Sequence, residues 1–205
     1  MKLLLLDTDP RICEAWRSNF EGVNSVQIHH GAFEPIIGAF DCLVSPANSF
    51  GLMDGGMDAS ITDFFGVALE ERVQDEIWRR YRGEQPVGTC LMVTTGDSRC
   101  PWLAHCPTMR VPMDVEWSNN AYAAFLAALT TAQAHGVLAL ACPGLGTGIG
   151  RMSPDVAARQ MRFAFDLWTG SRVRTTWEVP AEREWRSYGR TKDEFLRHRF
   201  GLPGK

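Results

Sequence analysis

The sequence predicts an α/β fold, and three observations carry that prediction. Short apolar runs alternate with longer amphipathic ones, as when parallel strands are joined by crossover helices. Two of the apolar runs pass through glycine-rich turns directly into a helix start. A hydrophobic content of 45% over 205 residues is enough to bury one sizeable core, but the chain is short for two.

The strands expected from these runs are Leu3–Leu6, Val26–His29, Cys42–Ser45, Thr89–Thr95, Trp102–Cys106 and Val137–Cys142. Helices are expected at Pro10–Phe20, at Met57–Tyr81 with a break near Gly66, at Ser118–His135 and at Ser153–Trp168. Ser153-Pro154-Asp155 is a strong helix opening. Ser caps the free amides, Pro fits the first turn, and Asp favours the positive end of the dipole. After Gly170 the character changes to Arg, Glu and Trp with weak periodicity, and Val173–Val179 is expected to add a strand at a sheet edge. The chain is therefore divided into a domain over residues 1–170 and a C-terminal extension, 171–205, packed on the same domain.

Charge and composition exclude several classes. The net charge is −3 and neither half carries a block of Lys or Arg, so the electrostatic footprint of a long nucleic-acid partner is missing. No apolar stretch approaches the roughly 20 residues of a membrane span. Met1–Leu6 runs straight into Asp7-Thr8-Asp9-Pro10 without the build of a signal peptide. A cytoplasmic protein with no membrane partner is the expectation. The six cysteines are scattered without a C-x-x-C pair and most sit in apolar runs. Reduced, buried thiols are expected, with no metal and no cofactor.

Two loops hold the residue types that do chemistry. The Cys42–Ser45 run continues through Pro46-Ala47-Asn48 and Asp54-Gly55-Gly56-Met57-Asp58 into a helix. Strand C-terminal ends are where open α/β sheets bind ligands. A Gly-Gly before a helix is either an ordinary tight turn or an anion site made of helix N-terminal amides. The second loop, Pro143-Gly144-Leu145-Gly146-Thr147-Gly148-Ile149-Gly150-Arg151, has four glycines in seven residues. Such a run is costly in chain entropy, and a phosphate cradle of successive backbone amides explains it better than a plain connection. It is neither G-x-x-x-x-G-K-S/T nor a first-strand G-x-G-x-x-G.

Asp41 through Asn48 followed by Gly55-Gly56-Met57-Asp58 resembles the signature of the macrodomain family (ADP-ribose binding, Appr-1″-p processing). In that signature an Asp-hydrophobic-hydrophobic-Val-Asn-Ala-Ala-Asn strand leads to a Gly-Gly-Val-Asp helix start. Asn48 and Asp58 are ten positions apart, as in the family pattern, and Pro143–Gly150 is similar to its second loop. The resemblance spans roughly residues 24 to 170 and marks the chain as a divergent member. It implies a three-layer α/β/α fold around a mixed, mostly parallel sheet. It also implies that ADP-ribose or an ADP-ribosylated substrate is the partner.

Carried over by position, the resemblance makes Asn48 and Asp58 the catalytic pair. Asn48 would bond the distal ribose hydroxyls, and Asp58 would orient that ribose or the attacking water. Gly55 and Gly56 would let the backbone close on the ribose, and Ser45, Ala47 and Met57 are expected among the ligand-binding residues. Leu145, Gly146, Thr147, Gly148, Ile149 and Gly150 would hold the two phosphates, and Arg151 would reach a phosphate or a substrate carboxylate unless it is simply exposed at a helix entrance.

The chain departs from the pattern in four places. Ser45 stands where the family has its first Asn, and Pro46 where it has Ala. The Asp that commonly reads the adenine amino group is absent near Ala32, and the second-loop aromatic is deleted between Ile149 and Gly150. Phe50, Phe64 and Phe65 are read as core or as a stacking surface, His105 as a core histidine before a base, Asp54 as a turn residue, and Thr108–Pro112 as a connecting loop near the same cleft. The functions implied are hydrolysis of an ADP-ribosyl linkage in protein or a small ester without a metal, or binding without turnover. A scaffold for RNA-derived ends is a third reading.

Overall fold

The computed structural model describes residues 1–201. The most apolar strands occupy the middle of a six-stranded sheet, in the order β2-β1-β6-β3-β5-β4. β1 (Lys2–Asp7) pairs in parallel with β2 (Val26–His30) on one side and β6 (Ala139–Cys142) on the other. β3 (Cys42–Ser45) pairs in parallel with β6 and β5 (Trp102–His105), and β4 (Leu91–Thr94) closes the edge antiparallel to β5. Every residue of β3 is buried, as expected of a strand covered on both faces.

Helices cover both faces, giving three α/β/α layers. α1 (Pro10–Asn19), α4 (Asn120–Ala134) and α5 (Pro154–Thr169) enclose one core with Trp16, Phe125, Leu140 and Met161. α2 (Gly56–Phe65) and α3 (Val67–Tyr81) enclose the other with Leu43, Ile61, Val73 and Leu103. Caps follow the sequence: Asp9 accepts from the Arg11 amide and Ser153 from the Val156 amide. The expected break at Gly66 is real. Its φ of 88° separates α2 from α3, a conformation that glycine alone takes without strain.

Two strand expectations change. Thr89 is not in β4, because its hydroxyl turns back to the Pro86 carbonyl at 2.7 Å. Val173–Val179 forms no strand: Val173 and Trp177 stand exposed, and α6 begins at Glu178 and runs to Ser187. The sheet edges are β2 and β4, and the Val/Arg alternation pairs with neither. α6 and α7 (Lys192–Phe200) instead lie against α5 and the Trp117 segment. Gly189 packs on Val156 and Gln160, Arg186 covers the Phe163 ring at 4.3 Å, and Trp117 is stacked between Arg190 and His198. Among the described residues, no helix is long and apolar enough to cross a membrane.

Candidate functional site

The C-terminal ends of β1, β2, β3 and β6 open on one cleft of about 470 Å³. From β3, the chain places Ala47, Asn48, Gly55, Gly56, Met57 and Asp58 on its wall. From β6, Gly144, Gly146, Thr147, Gly148, Ile149 and Gly150 form the facing wall. Ser45, Leu145 and Arg151 lie outside the lining. Ser45 is buried beneath it, Leu145 points into the core below, and Arg151 is exposed beyond the loop with φ at 53°.

Asp58 sits in the first turn of α2 and is only 6% exposed. Its Oδ1 accepts a hydrogen bond from the Ser45 hydroxyl at 2.6 Å. Burial pushes its carboxyl up to about 7, the Ser45 hydrogen bond opposes this, and the nearby Glu70 and Asp54 carboxylates add to the rise. The cleft therefore holds a carboxyl that exchanges its proton near neutrality.

Asn48 is placed differently from the simplest expectation. Its Oδ1 accepts from the Phe50 and Leu52 amides at 3.0 and 3.3 Å, and its Nδ2 donates to the Leu52 carbonyl at 2.7 Å. The side chain closes its own loop. The segment after β5 holds that loop from outside, with Thr108 N donating to Ala47 O at 2.9 Å and Ser49 N to Met109 O at 3.1 Å. Thr108–Pro112 thus braces the site, and Thr108, Met109 and Pro112 line the cleft.

The glycines divide by role. Gly56, at φ 55°, needs its missing side chain for conformation, whereas a Cβ on Gly55 would meet only Ile149 Cδ1 at an ordinary 3.8 Å. Gly150 needs it for close approach, because a Cβ there would lie 2.6 Å from both Gly146 O and Val115 Cγ2. Gly148 faces open space, with no atom within 4 Å. The second loop is closed by Arg151 N to Gly148 O and Met152 N to Gly146 O. Among the described residues, the backbone amides of 146–150 donate to no protein acceptor. Such a row of free N–H groups makes an anion-binding concavity, and it offsets the carboxylates Asp7, Asp9, Glu34, Asp54 and Asp58 on the same walls.

Sequence reading missed the β1 contribution. Asp7, Thr8 and Asp9 line the cleft, and Asp7 Oδ2 accepts the Gly144 amide at 3.0 Å, fastening the second loop to β1. The signal was present in an apolar strand running into Asp-Thr-Asp before a capped helix, the same strand-end rule used for β3 and β6. His105 is fully buried with its imidazole pushed down to about 3 by burial. Its Nδ1 meets Gln85 Oε1 at 2.7 Å. Phe64 and Phe65 pack with Phe33 in the core, and Phe50 lies under Arg110. Among the described residues, no cluster of three or more His, Cys, Asp or Glu is arranged to hold a metal ion.

Comparison with known proteins agrees with this fold. The family model described as Macro domain matches residues 44–161. A protein of Aquifex aeolicus is 34% identical over 121 residues, covering 59% of this chain and 70% of its own. One of Aeropyrum pernix is 29% identical over 130 residues, covering 63% and 66%. The chain thus spans about two thirds of these relatives' length. Among solved structures, the macrodomain of Mycobacterium tuberculosis DarG aligns with a TM-score of 0.53 at 20% identity, over 62% of this chain and 82% of that one. The Oceanobacillus iheyensis macrodomain with ADP aligns at 0.56 and 18%, over 63% and 70%. Thermosipho africanus DarTG in complex with ADP-ribose aligns at 0.51 and 17%, over 60% and 34%. At these identities the likeness to solved structures is one of fold.

Proposed function

This chain belongs to the macrodomain family, and on that footing we propose that its cleft binds ADP-ribose and hydrolyses an ADP-ribosyl linkage, in a modified protein or a small ester. The observation that carries the reading is the row of unbonded amides at 146–150 opposite Asp58 in one cleft. The two phosphates sit on those amides, where backbone donors need no cationic side chain. The distal ribose then falls between the second loop and the start of α2, within reach of Asp58. The Oceanobacillus macrodomain with ADP and the Thermosipho DarTG complex with ADP-ribose give the ligand class its support.

Asp58 acts on the water. At neutral pH a fraction of Asp58 is ionised. It takes a proton from the water attacking the anomeric carbon, while the bond from that carbon to the leaving oxygen breaks and an ester's carboxylate departs with the electron pair. The developing oxocarbenium charge is stabilised by the same buried carboxylate. Ser45 sets the reactivity of Asp58 through the 2.6 Å hydrogen bond. The test is turnover of ADP-ribosylated protein and of an ADP-ribosyl ester by wild type and Asp58→Ala. Loss of at least about a hundredfold in rate with ADP-ribose binding retained supports the assignment. Undiminished turnover by a folded variant contradicts it.

A second reading, binding without turnover, is favoured by one feature. The Asn48 oxygen accepts two loop amides and one of its N–H groups goes to the Leu52 carbonyl, which leaves a single N–H for a ribose hydroxyl. Saturable ADP-ribose binding with no turnover of protein, ester or 1″-phosphate substrates selects this reading.

A further inference from the structure

β4 is an edge strand whose one neighbour in the sheet is β5, so the contacts between these two strands decide how firmly the end of β5 is held. They run antiparallel, with Leu91 opposite His105. One step further along that register, Cys90 comes opposite Cys106. The ladder bond from Thr95 N to Pro101 O at 3.1 Å sets the alternation, and carried along the register it makes 93/103 and 91/105 the hydrogen-bonded pairs. The pair 90/106 therefore falls at the unbonded position, where opposed Cα atoms are about 4.5 Å apart. That separation lies inside the range a disulfide spans.

Both side chains point to the same face of the sheet, as opposed residues do. Cys106 belongs to the core under α1, α4 and α5, and Cys90 packs against that core. Burial pushes the Cys106 thiol well up, and a hydrogen bond with the Cys90 thiol adds to the rise. All six cysteines are reduced, and Cys90 alone among them is not fully buried. Cys106 is wholly closed off from solvent. The pair thus has one member that a small oxidant reaches and one that only its neighbour reaches.

We propose that Cys90 and Cys106 are a modification site, a dithiol that hydrogen peroxide closes to a disulfide, and that this bond stiffens the strand end bracing the Asp58 site. The chemistry balances. Peroxide oxidises the Cys90 sulfur to the sulfenic acid as its O–O bond breaks and one oxygen leaves as water. The Cys106 sulfur then attacks that of Cys90, the S–S bond forms as the S–O bond breaks, and the hydroxyl departs as water with the Cys106 proton. Two thiols are oxidised and one peroxide is reduced to two waters. The link to the site is short. The Cys106 amide donates to the Ser45 carbonyl at 3.0 Å, and two residues on Thr108 N donates to Ala47 O at 2.9 Å. Ser45 in turn bonds Asp58 through its hydroxyl. A disulfide at Cys106 ties this brace covalently to β4, and the inference stands whatever ligand the cleft takes.

The experiment treats the full chain with hydrogen peroxide, counts thiols in denaturant and maps the linked peptides, for wild type and Cys90→Ser. Wild type is expected to fall from six thiols to four, with Cys90 joined to Cys106 and all six restored by dithiothreitol. Cys90→Ser changes a half-buried residue and is expected to keep its five thiols, because Cys106 has then lost the neighbour through which it reacts. In oxidised wild type the amides of Cys106 and Thr108 are expected to exchange hydrogen about tenfold more slowly than in the reduced protein, as suppressed local opening requires. Six thiols retained by wild type under peroxide that fully oxidises glutathione, a bond between any other pair, or loss of the Cys106 thiol in Cys90→Ser overturns the site. A Cys90–Cys106 bond that leaves the exchange of both amides unchanged overturns its coupling to the Asp58 brace.

Discussion

Asp58 is buried at the head of α2 with one hydroxyl for company, and its titration links function to stability. Its carboxyl is raised from 3.8 to about 7, first by burial. The folded protein therefore binds more protons than the unfolded chain between about pH 4 and 7. Stability from this group is lost as pH rises through that window, and the loss is complete above about 7. Asp58→Asn is expected to melt above wild type at pH 8, with the gap closing as pH falls to 4; thermal melts at both pH values check this. Ser45→Ala removes the contact that lowers the Asp58 value, so the rising limb of the kcat against pH profile is expected to move to higher pH. A limb that stays in place would show that Ser45 does not set the reactivity of Asp58. At this scale the motif residues 45, 48 and 58 were legible from spacing, but their hydrogen bonds were not. Nothing in the order of residues shows that Asn48 caps its own loop or that Ser45 sits under Asp58, because both depend on how the strand end turns.

The second loop combines one close approach with one opening. A methyl at Gly150 would meet the Gly146 carbonyl and Val115 at 2.6 Å, so Gly150→Ala is expected to distort the amide row. The expected cost is about 1–3 kcal/mol in stability, with at least tenfold weaker ADP-ribose binding, read by melting and titration. Gly66→Ala tests the contrast. Its φ is positive, at 88°, and a Cβ there meets nothing, so a loss of about 1–3 kcal/mol from backbone strain alone with unchanged binding is expected. Elements with strong punctuation were readable in advance: the Gly66 break, the Ser153 cap and the glycine run each name their own conformation. β1's part in the cleft was less visible, since Asp7 reaches the loop through a contact with Gly144, 137 positions away. The Val173–Val179 alternation looked like a strand, but it joins neither sheet edge, and tertiary placement is what no local pattern contains.

At the scale of the whole molecule, the sheet order assembles one cleft from four strand ends while the two cores hold it from either face. α6 and α7 lie outside this arrangement. Among the described residues, none of those lining the cleft comes from 171–201. These helices pack on α5, where Gly189 nests against Val156 and Gln160. Truncation after Gly170 is expected to lower the melting temperature by several degrees, as uncovering a packed surface does, while ADP-ribose affinity stays within about threefold. A truncated chain that melts as wild type does but no longer binds would instead make the extension part of the site.

The most direct test of the cleft's assignment is titration of the protein with ADP-ribose, beside AMP, for wild type and Gly148→Glu. Gly148 faces open space and its backbone can accept a side chain. The new carboxylate enters the cleft where the phosphates would lie, without strain on the fold. Saturable binding by wild type, weaker for AMP and abolished in a normally melting Gly148→Glu, is the result expected of a phosphate cradle at 146–150. Equal binding by the variant, or none by wild type, would contradict it.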